Sequence, residues 1–245
     1  MLRIQNNLII NKLKRRGNMK KILLMLSTLA LMLAPAISYA GNFTMGVTFS
    51  DNSLDTDGTE DIDSNGTIDG EKNVTDDFMV GSIFAEYTNM GDRFGMTVGV
   101  DFIPFDADID ERDVAQSALG AASEGAATSG TNAISGSVES HRTIYLQPGI
   151  SFGTNSMLYL TYGFVSADIN ARTTSLSHTD INETKDLDGE KVGVGIKRVG
   201  DNGMVVKLDY SDTDYDEVSF VTSNNTTGTV DLDNRSLSLS IGKQF

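Results

Sequence analysis

The last ten residues of the chain alternate strictly between two kinds of side chain. One parity holds Leu237, Leu239, Ile241, Lys243 and Phe245, and the other holds Ser236, Ser238, Ser240, Gly242 and Gln244. Because successive side chains of a strand point to opposite faces, this alternation predicts a β-strand. Both a membrane-spanning strand and an edge strand of a soluble sheet can show this pattern. The rest of the chain must distinguish these two kinds of strand.

Seven more segments alternate in this way, which predicts eight strands in all. They cover 42–50, 78–88, 93–103, 143–152, 157–166, 191–199 and 204–210. Short turns are predicted at 89–92, 153–156 and 200–203, and long polar loops at 51–77, 104–141, 167–190 and 211–233. Asp113 could cap a short helix in the second long loop, and Pro148 suggests a β-bulge within its strand.

The closing segment resembles the final strand of bacterial outer-membrane β-barrels, whose alternating apolar residues and terminal aromatic form an assembly signal. Phe245, Ile241, Leu239 and Leu237 match this pattern, whereas Lys243 departs from it. Short periplasmic turns and long outer loops are also the layout of these barrels. The resemblance is to the small eight-stranded members, such as OmpX and the membrane domain of OmpA, and it covers about residues 41–245. It implies an all-β fold in the outer membrane: an eight-stranded antiparallel up-and-down transmembrane β-barrel.

Two features indicate which face meets lipid. The polar parity is rich in Gly, Ser and Thr, which suit the crowded lumen of a narrow barrel. On the apolar parity, aromatic residues gather near both ends of the strands, as expected for the two lipid–water interfaces. The predicted periplasmic girdle contains Phe43, Tyr87, Phe94, Phe152 and Phe245, and the outer girdle contains Phe49, Phe102, Phe164 and Tyr210.

Residues 1–40 are predicted to be a secretory signal peptide. Lys20 and Lys21 precede an apolar run that ends before Pro35, and small residues at Ser38 and Ala40 fit a cleavage site. The run is shorter than the ~20 residues that a spanning helix needs. Met19 is the better start, with 1–18 a spurious or extended leader, and the mature barrel is expected to begin at residue 41.

Basic and acidic residues are distributed unevenly along the chain. Of the 19 Lys and Arg residues, seven lie in 1–40, so residues 41–245 hold 12 basic and 34 acidic residues, a net charge of −22. Such a surface repels nucleic acid and attracts cations. Binding of DNA or RNA is therefore not expected.

Five charged residues fall on the parity predicted to face the lumen. They are Glu86, Asp101, Lys197, Lys207 and Asp209. Charges in a narrow, poorly hydrated lumen need partners, so an ion-pair network that plugs the barrel is predicted. The alternative is a gated path for small ions through the same residues.

The first outer loop resembles an EF-hand-type calcium loop. Asp61, Asp63, Asn65 and Asp69 match the acidic and amide ligand spacing, with Gly66 at the sharp turn. Lys72 stands where the pattern has Glu, and Glu71 precedes it by one residue. The loop therefore has two interpretations: a calcium site at Asp61, Asp63, Asn65, Asp69 and Glu71, or a solvated acidic loop that binds cations only diffusely.

Three functions remain open from the sequence. The first is a structural or surface-interaction role in the cell envelope, and the second is a narrow passage for small solutes or hydrophobic compounds. The third is an enzyme at the outer rim, but only His141 and His178 could serve it, and an enzyme is not expected. No cofactor is expected apart from calcium. The predicted partners are membrane lipid, lipopolysaccharide bridged by divalent cations, and the barrel-assembly machinery through the closing strand.

Overall fold

A computed structural model describes residues 42–61, 64–116, 130–153, 155–174, 181–221 and 227–245. Ten strands span them: β1 (Asn42–Asp61), β2 (Gly70–Met90), β3 (Phe94–Phe102), β4 (Ala107–Gln116), β5 (Gly130–Phe152), β6 (Ser156–Thr174), β7 (Ile181–Val199), β8 (Met204–Tyr215), β9 (Val218–Val221) and β10 (Thr227–Gln244). Within these ranges, no helix is long and apolar enough to cross a membrane.

Eight of these strands form a closed antiparallel barrel, as predicted. Their order is β1-β2-β3-β5-β6-β7-β8-β10, and β1 pairs with β10 from Thr44↔Gln244 to Asp61↔Thr227. The predicted short connections are present between β2 and β3, β5 and β6, and β7 and β8. Gly153 and Gly203 turn there with φ of 64° and 77°, which glycine adopts without steric cost.

The two faces of the wall are divided as the alternation predicts. On β10, Leu237 is 52% exposed and Ser238 is 6% exposed, and the same contrast repeats along the strand. Phe43, Phe94, Phe152 and Phe245 are exposed near one end of the barrel, and Phe49, Phe102, Phe164 and Tyr210 near the other. The exposed band is thus a continuous apolar surface between two aromatic girdles, which suits lipid and not water.

The prediction of long outer loops is largely wrong, because most of the described residues in these regions belong to strands. β1 continues to Asp61 instead of ending at Ser50, and β7 begins at Ile181 instead of Lys191. The region 107–116 forms β4 and not a short helix. Polar side chains on the water side do not prevent these segments from pairing, since the ladder satisfies their backbone groups.

The bulge expected at Pro148 is also wrong. The register of β5 with both neighbours runs past Pro148 without a shift, and the pairs with β6 only skip Gln147 and Pro148. The irregularity lies instead between Glu139 and Arg142, where Ser140 adopts a φ of 56°. One extra residue there exchanges the inward and outward parities of β5.

Beyond the outer girdle the wall divides into two four-stranded sheets. β9, β10, β1 and β2 form one, and β4, β5, β6 and β7 form the other. Their inward side chains make an apolar cluster composed of Val165, Ala167, Ile169, Leu187, Tyr215, Val218, Phe220 and Leu232. We call this part the outer sandwich and its cluster the roof, because the cluster lies across the outer end of the lumen.

Candidate functional site

The centre of the lumen is held by one buried carboxylate between two lysines. Glu86 Oε1 lies 2.6 Å from Lys197 Nζ, and Glu86 Oε2 lies 2.9 Å from Lys207 Nζ. The hydroxyl of Tyr145 donates a third bond to Glu86 Oε2 at 3.0 Å. We call Glu86, Lys197, Lys207 and Tyr145 the plug, because these side chains meet across the lumen.

Strand pairing explains why the carboxylate is needed. Lys197 and Lys207 are direct cross-strand neighbours on β7 and β8, and like charges at such positions repel. Glu86 reaches them from β2, on another part of the wall. Lys207 Nζ also lies 5.2 Å from the ring centre of Phe84 and 5.1 Å from that of Tyr145, which adds cation–π attraction.

Two threonine hydroxyl groups bind Lys197 at the periplasmic end of the plug. Lys197 Nζ donates to Thr88 Oγ1 at 2.8 Å and to Thr97 Oγ1 at 3.1 Å. Its ammonium therefore has three oxygen partners, as a buried cation requires. Small polar residues on the inward parity of β2 and β3 thus accept the remaining hydrogen bonds of the buried Lys197 ammonium.

Asp101 and Asp209, the other two predicted network residues, stand apart from these ion pairs. Asp101 accepts a bond from Ser82 at 2.7 Å, and Asp209 accepts one from Tyr159 at 2.7 Å. Both line a polar cavity of about 60 Å³ on the outer side of Glu86, together with Lys191 and Lys207. A cavity of this size and polarity can hold a few water molecules that bridge the separated charges.

Lys191 is the residue that the sequence interpretation missed. It shares the inward parity of Lys197 on β7, six residues away, so the alternation itself carried the signal. With Lys191 included, the described residues that face the lumen supply three carboxylates and three ammonium groups. The interior is therefore balanced in charge, which favours a closed structure over an ion-selective pore.

His141 joins the roof to the outer end of the lumen. Its Nε2 lies 3.0 Å from the hydroxyl of the buried Tyr215. The His141 carbonyl accepts the Ile103 amide, one residue beyond Phe102 of the outer girdle, so His141 lies beyond the lipid-facing band. Burial, and then the charge of Lys191, lower the pKa of His141 to about 4, so the ring is neutral at physiological pH. His178 lies outside the described residues, and the expectation that the protein is not an enzyme stays a prediction.

The predicted calcium loop is the hairpin between β1 and β2. Asp61 Oδ1 accepts the Asn65 amide at 3.0 Å, and Asp61 Oδ2 accepts the Gly66 amide at 2.7 Å. Glu71 has already entered β2, opposite Thr59. Asp63 lies outside the described residues. Across the described part of the chain, no group of three His, Cys, Asp or Glu residues is arranged to hold a metal ion, and calcium binding stays a prediction.

The exterior of the outer sandwich is acidic. Asp57 faces Asp231 and Asp55 faces Asp233 on the paired strands β1 and β10. Arg235 Nη2 lies 2.7 Å from Asp55 Oδ2. The hydrogen bond from Thr75, and then that from Arg235, hold the pKa of Asp55 below its usual value.

Lys243, the departure from the closing-strand pattern, is exposed at the periplasmic end. Its Nζ donates to the carbonyl oxygen of Asn202, in the turn between β7 and β8. The ammonium thus finds a polar partner at the interface while its stem lies along the apolar face. This contact explains how the strand accommodates a lysine there.

Comparisons with known proteins support the fold and leave the role open. No protein-family model matches the sequence, and no curated protein matches it. The outer-membrane protease OmpT from Escherichia coli has a similar solved structure, with a TM-score of 0.50, 11% identity, and coverage of 83% of this chain and 97% of that one.

Two other solved structures are similar at lower scores. OprG from Pseudomonas aeruginosa has a TM-score of 0.47 at 19% identity, with coverage of 84% of this chain and 96% of that one. Ail, the attachment invasion locus protein of Yersinia pestis, has a TM-score of 0.46 at 11% identity, with coverage of 84% and 99%. The closed antiparallel wall and its lipid-facing band show that this chain has the fold of the small outer-membrane β-barrels.

Proposed function

We propose that the protein is a sealed outer-membrane barrel that acts through the surface of its outer sandwich. The observation that carries this proposal is that side chains occupy the lumen at two levels. The plug fills it within the membrane, and the roof of buried apolar residues fills it outside. A passage for solutes would require both to move, whereas a surface-interaction role requires neither.

The chemistry of the outer sandwich favours cationic partners. Its first sheet exposes carboxylates at Asp51, Asp57, Asp77 and Asp233, against one nearby guanidinium at Arg235. Such a surface attracts basic proteins and divalent cations. The proposal includes lipopolysaccharide held through divalent cations at the outer rim. Extraction from membranes that chelator does not change would count against that part.

Planar-bilayer conductance tests whether the barrel is sealed. The purified protein is expected to give no steady conductance, because Glu86 and both lysines fill the lumen. Lys207→Ala is expected to stay silent as well, since the roof closes the lumen independently. Asn234→Ala serves as a matched inward-facing control outside the plug.

A narrow passage is the second candidate, and the polar cavity beside Lys191 is the observation that favours it. It predicts steady wild-type conductance, or a large increase in Lys207→Ala over the control. Either result would contradict the sealed barrel.

A further inference from the structure

The described strands of the outer sandwich leave four edges, and three of them are protected. β9 is only four residues long, and β4 has an irregular register with β5 between Ile109 and Arg112. On β7, the Asp188 carbonyl accepts the Asp216 amide, which leaves only the short stretch 181–187 at that edge. Natural sheets block unwanted pairing by such means.

The edge of β2 lacks these protections. β2 pairs with β1 without a shift from Gly70 to Thr88, but its pairing with β3 begins only at Ile83. Among the described residues, no strand pairs with the outer edge of Gly70–Ser82. This segment is long, regular and free of proline, so its backbone groups form a continuous row that another strand can meet. We call it the β2 edge.

The side chains of the β2 edge indicate what would pair with it. Glu71, Asp76 and Asp77 outnumber Lys72, and all four are exposed. The adjacent part of β1, residues 51–61, contains five acidic residues and no basic one. A second copy would bring one acidic edge against another, whereas a basic segment would complement both strands.

Apolar side chains lie at the membrane end of the same edge. Met79 is 77% exposed and Phe78 is 37% exposed, and neither is covered by another strand. Phe105, 71% exposed, follows closely after the end of β3. Phe78 lies opposite the buried Asn52 and Met79 opposite the exposed Asp51, so the two side chains are on different faces of β2. Apolar residues on both faces of the bound segment would cover them.

We infer that the β2 edge is a strand-addition site for an extended, lysine- or arginine-rich segment of a partner protein. The inference rests on the proposed surface-interaction role and specifies its partner by chemistry. The ladder along Gly70–Ser82 provides affinity, and the carboxylates of β2 and β1 select for basic side chains. The exposed Phe78 and Met79 fix the end that points towards the membrane.

The test uses the full chain in lipid nanodiscs and a synthetic peptide of alternating lysine and valine. Saturable binding is expected, with slower amide hydrogen exchange in 70–82 and unchanged exchange in 218–221. A peptide of the same composition with a central proline should bind much more weakly, because it cannot continue the ladder. No protection of 70–82, or equal binding of both peptides, would overturn the inference.

Charge variants separate this site from general attraction to an acidic surface. The double variant Asp76→Lys, Asp77→Lys should bind the peptide about tenfold more weakly or worse, because favourable pairs become repulsive. The double variant Asp231→Lys, Asp233→Lys, on the interior strand β10, changes the net charge by the same amount and should bind nearly as wild type. Equal loss in both variants would assign the binding to diffuse charge and overturn the site.

A second copy of the chain is the competing occupant, and a cysteine distinguishes it. The native sequence contains no Cys, so Asn73→Cys introduces a unique thiol on the β2 edge. Disulfide-linked dimers of this variant without peptide binding would overturn the proposed occupant. A silent barrel that binds no peptide would overturn this inference alone, and a conducting barrel would instead contradict the proposed function.

Discussion

The membrane wall and the outer sandwich share most of their strands, but their inward and outward faces have opposite character. On β10, Leu239 points to lipid and Ser238 to the lumen. In the outer part of the same strand, Asp233 points outward and Leu232 inward. On β6, Thr161 gives way to Val165, Ala167 and Ile169 on the inward side. The alternation continues while the solvent outside changes from lipid to water. The outward face is apolar in lipid and polar in water. The inward face is polar within the membrane and apolar in the outer sandwich.

The comparison predicts that the two interiors respond differently to loss of one side chain. Glu86→Ala would leave Lys197 and Lys207 buried beside each other without a counter-charge. Removal of one partner from a buried pair costs about 3–5 kcal/mol, so this is the largest expected effect. The measurement is the free energy of unfolding by urea in lipid vesicles.

The control for this prediction is Glu71→Ala, which removes an exposed carboxylate from the same strand. Its unfolding midpoint should stay close to that of the wild type. If Glu86→Ala unfolds at the wild-type midpoint, the plug does not stabilise the barrel.

In the outer sandwich the corresponding test is the loss of apolar volume. Leu232→Ala would open a cavity in the roof, at a cost of about 2–5 kcal/mol. Leu239→Ala is the matched control, because lipid can fill the space that it vacates. Amide exchange should accelerate in β9 and the outer part of β10 for Leu232→Ala only. Equal effects in both variants would show that the roof is not a packed core.

The sequence alone predicted the wall well because lipid imposes a strong contrast along each strand. The eight barrel strands, the three tight turns and the girdles all follow from that contrast. The outer sandwich was missed because its outward residues are polar, which suggested loops. Its inward residues, such as Ala167 and Leu232, are spread over several strands, and only the closed fold brings them together.

The plug was predicted in part for a related reason. Parity identified which charges face inward but not which of them meet across the lumen. Glu86 and Lys207 are far apart in sequence, and their contact depends on the closure of the wall. Lys191 could have been found by parity alone. The bulge near Ser140 carried no local signal, because neither Ser140 nor His141 is typical of a bulge.

The outward faces provide the next test. Leu239→Arg would place a charge on the lipid-facing band, which costs about 2–4 kcal/mol near the bilayer midplane. Asp233→Arg, six residues away on the same face, lies in water and should change stability little. Heat-modifiable mobility of the folded fraction on gels measures both. Similar folded fractions for the two variants would mean that Leu239 does not face lipid.

The smallest expected effect is a dependence of the roof on pH. His141 is neutral in the folded chain with a pKa of about 4, below its ordinary value of 6.5, so the unfolded chain takes up the proton first. The contribution of neutral His141 to the free energy of unfolding is therefore fully present above pH 6.5. It decreases between pH 6.5 and 4, by about 1 kcal/mol per pH unit. Urea midpoints across this range should fall in the wild type and in Tyr215→Phe, which keeps the buried imidazole. His141→Phe should lack this component. If its midpoints follow those of the wild type, His141 does not cause the dependence. Asp55 cannot replace it in this range, because a carboxyl with a lowered pKa loses its stabilising contribution only below its ordinary value of 3.8.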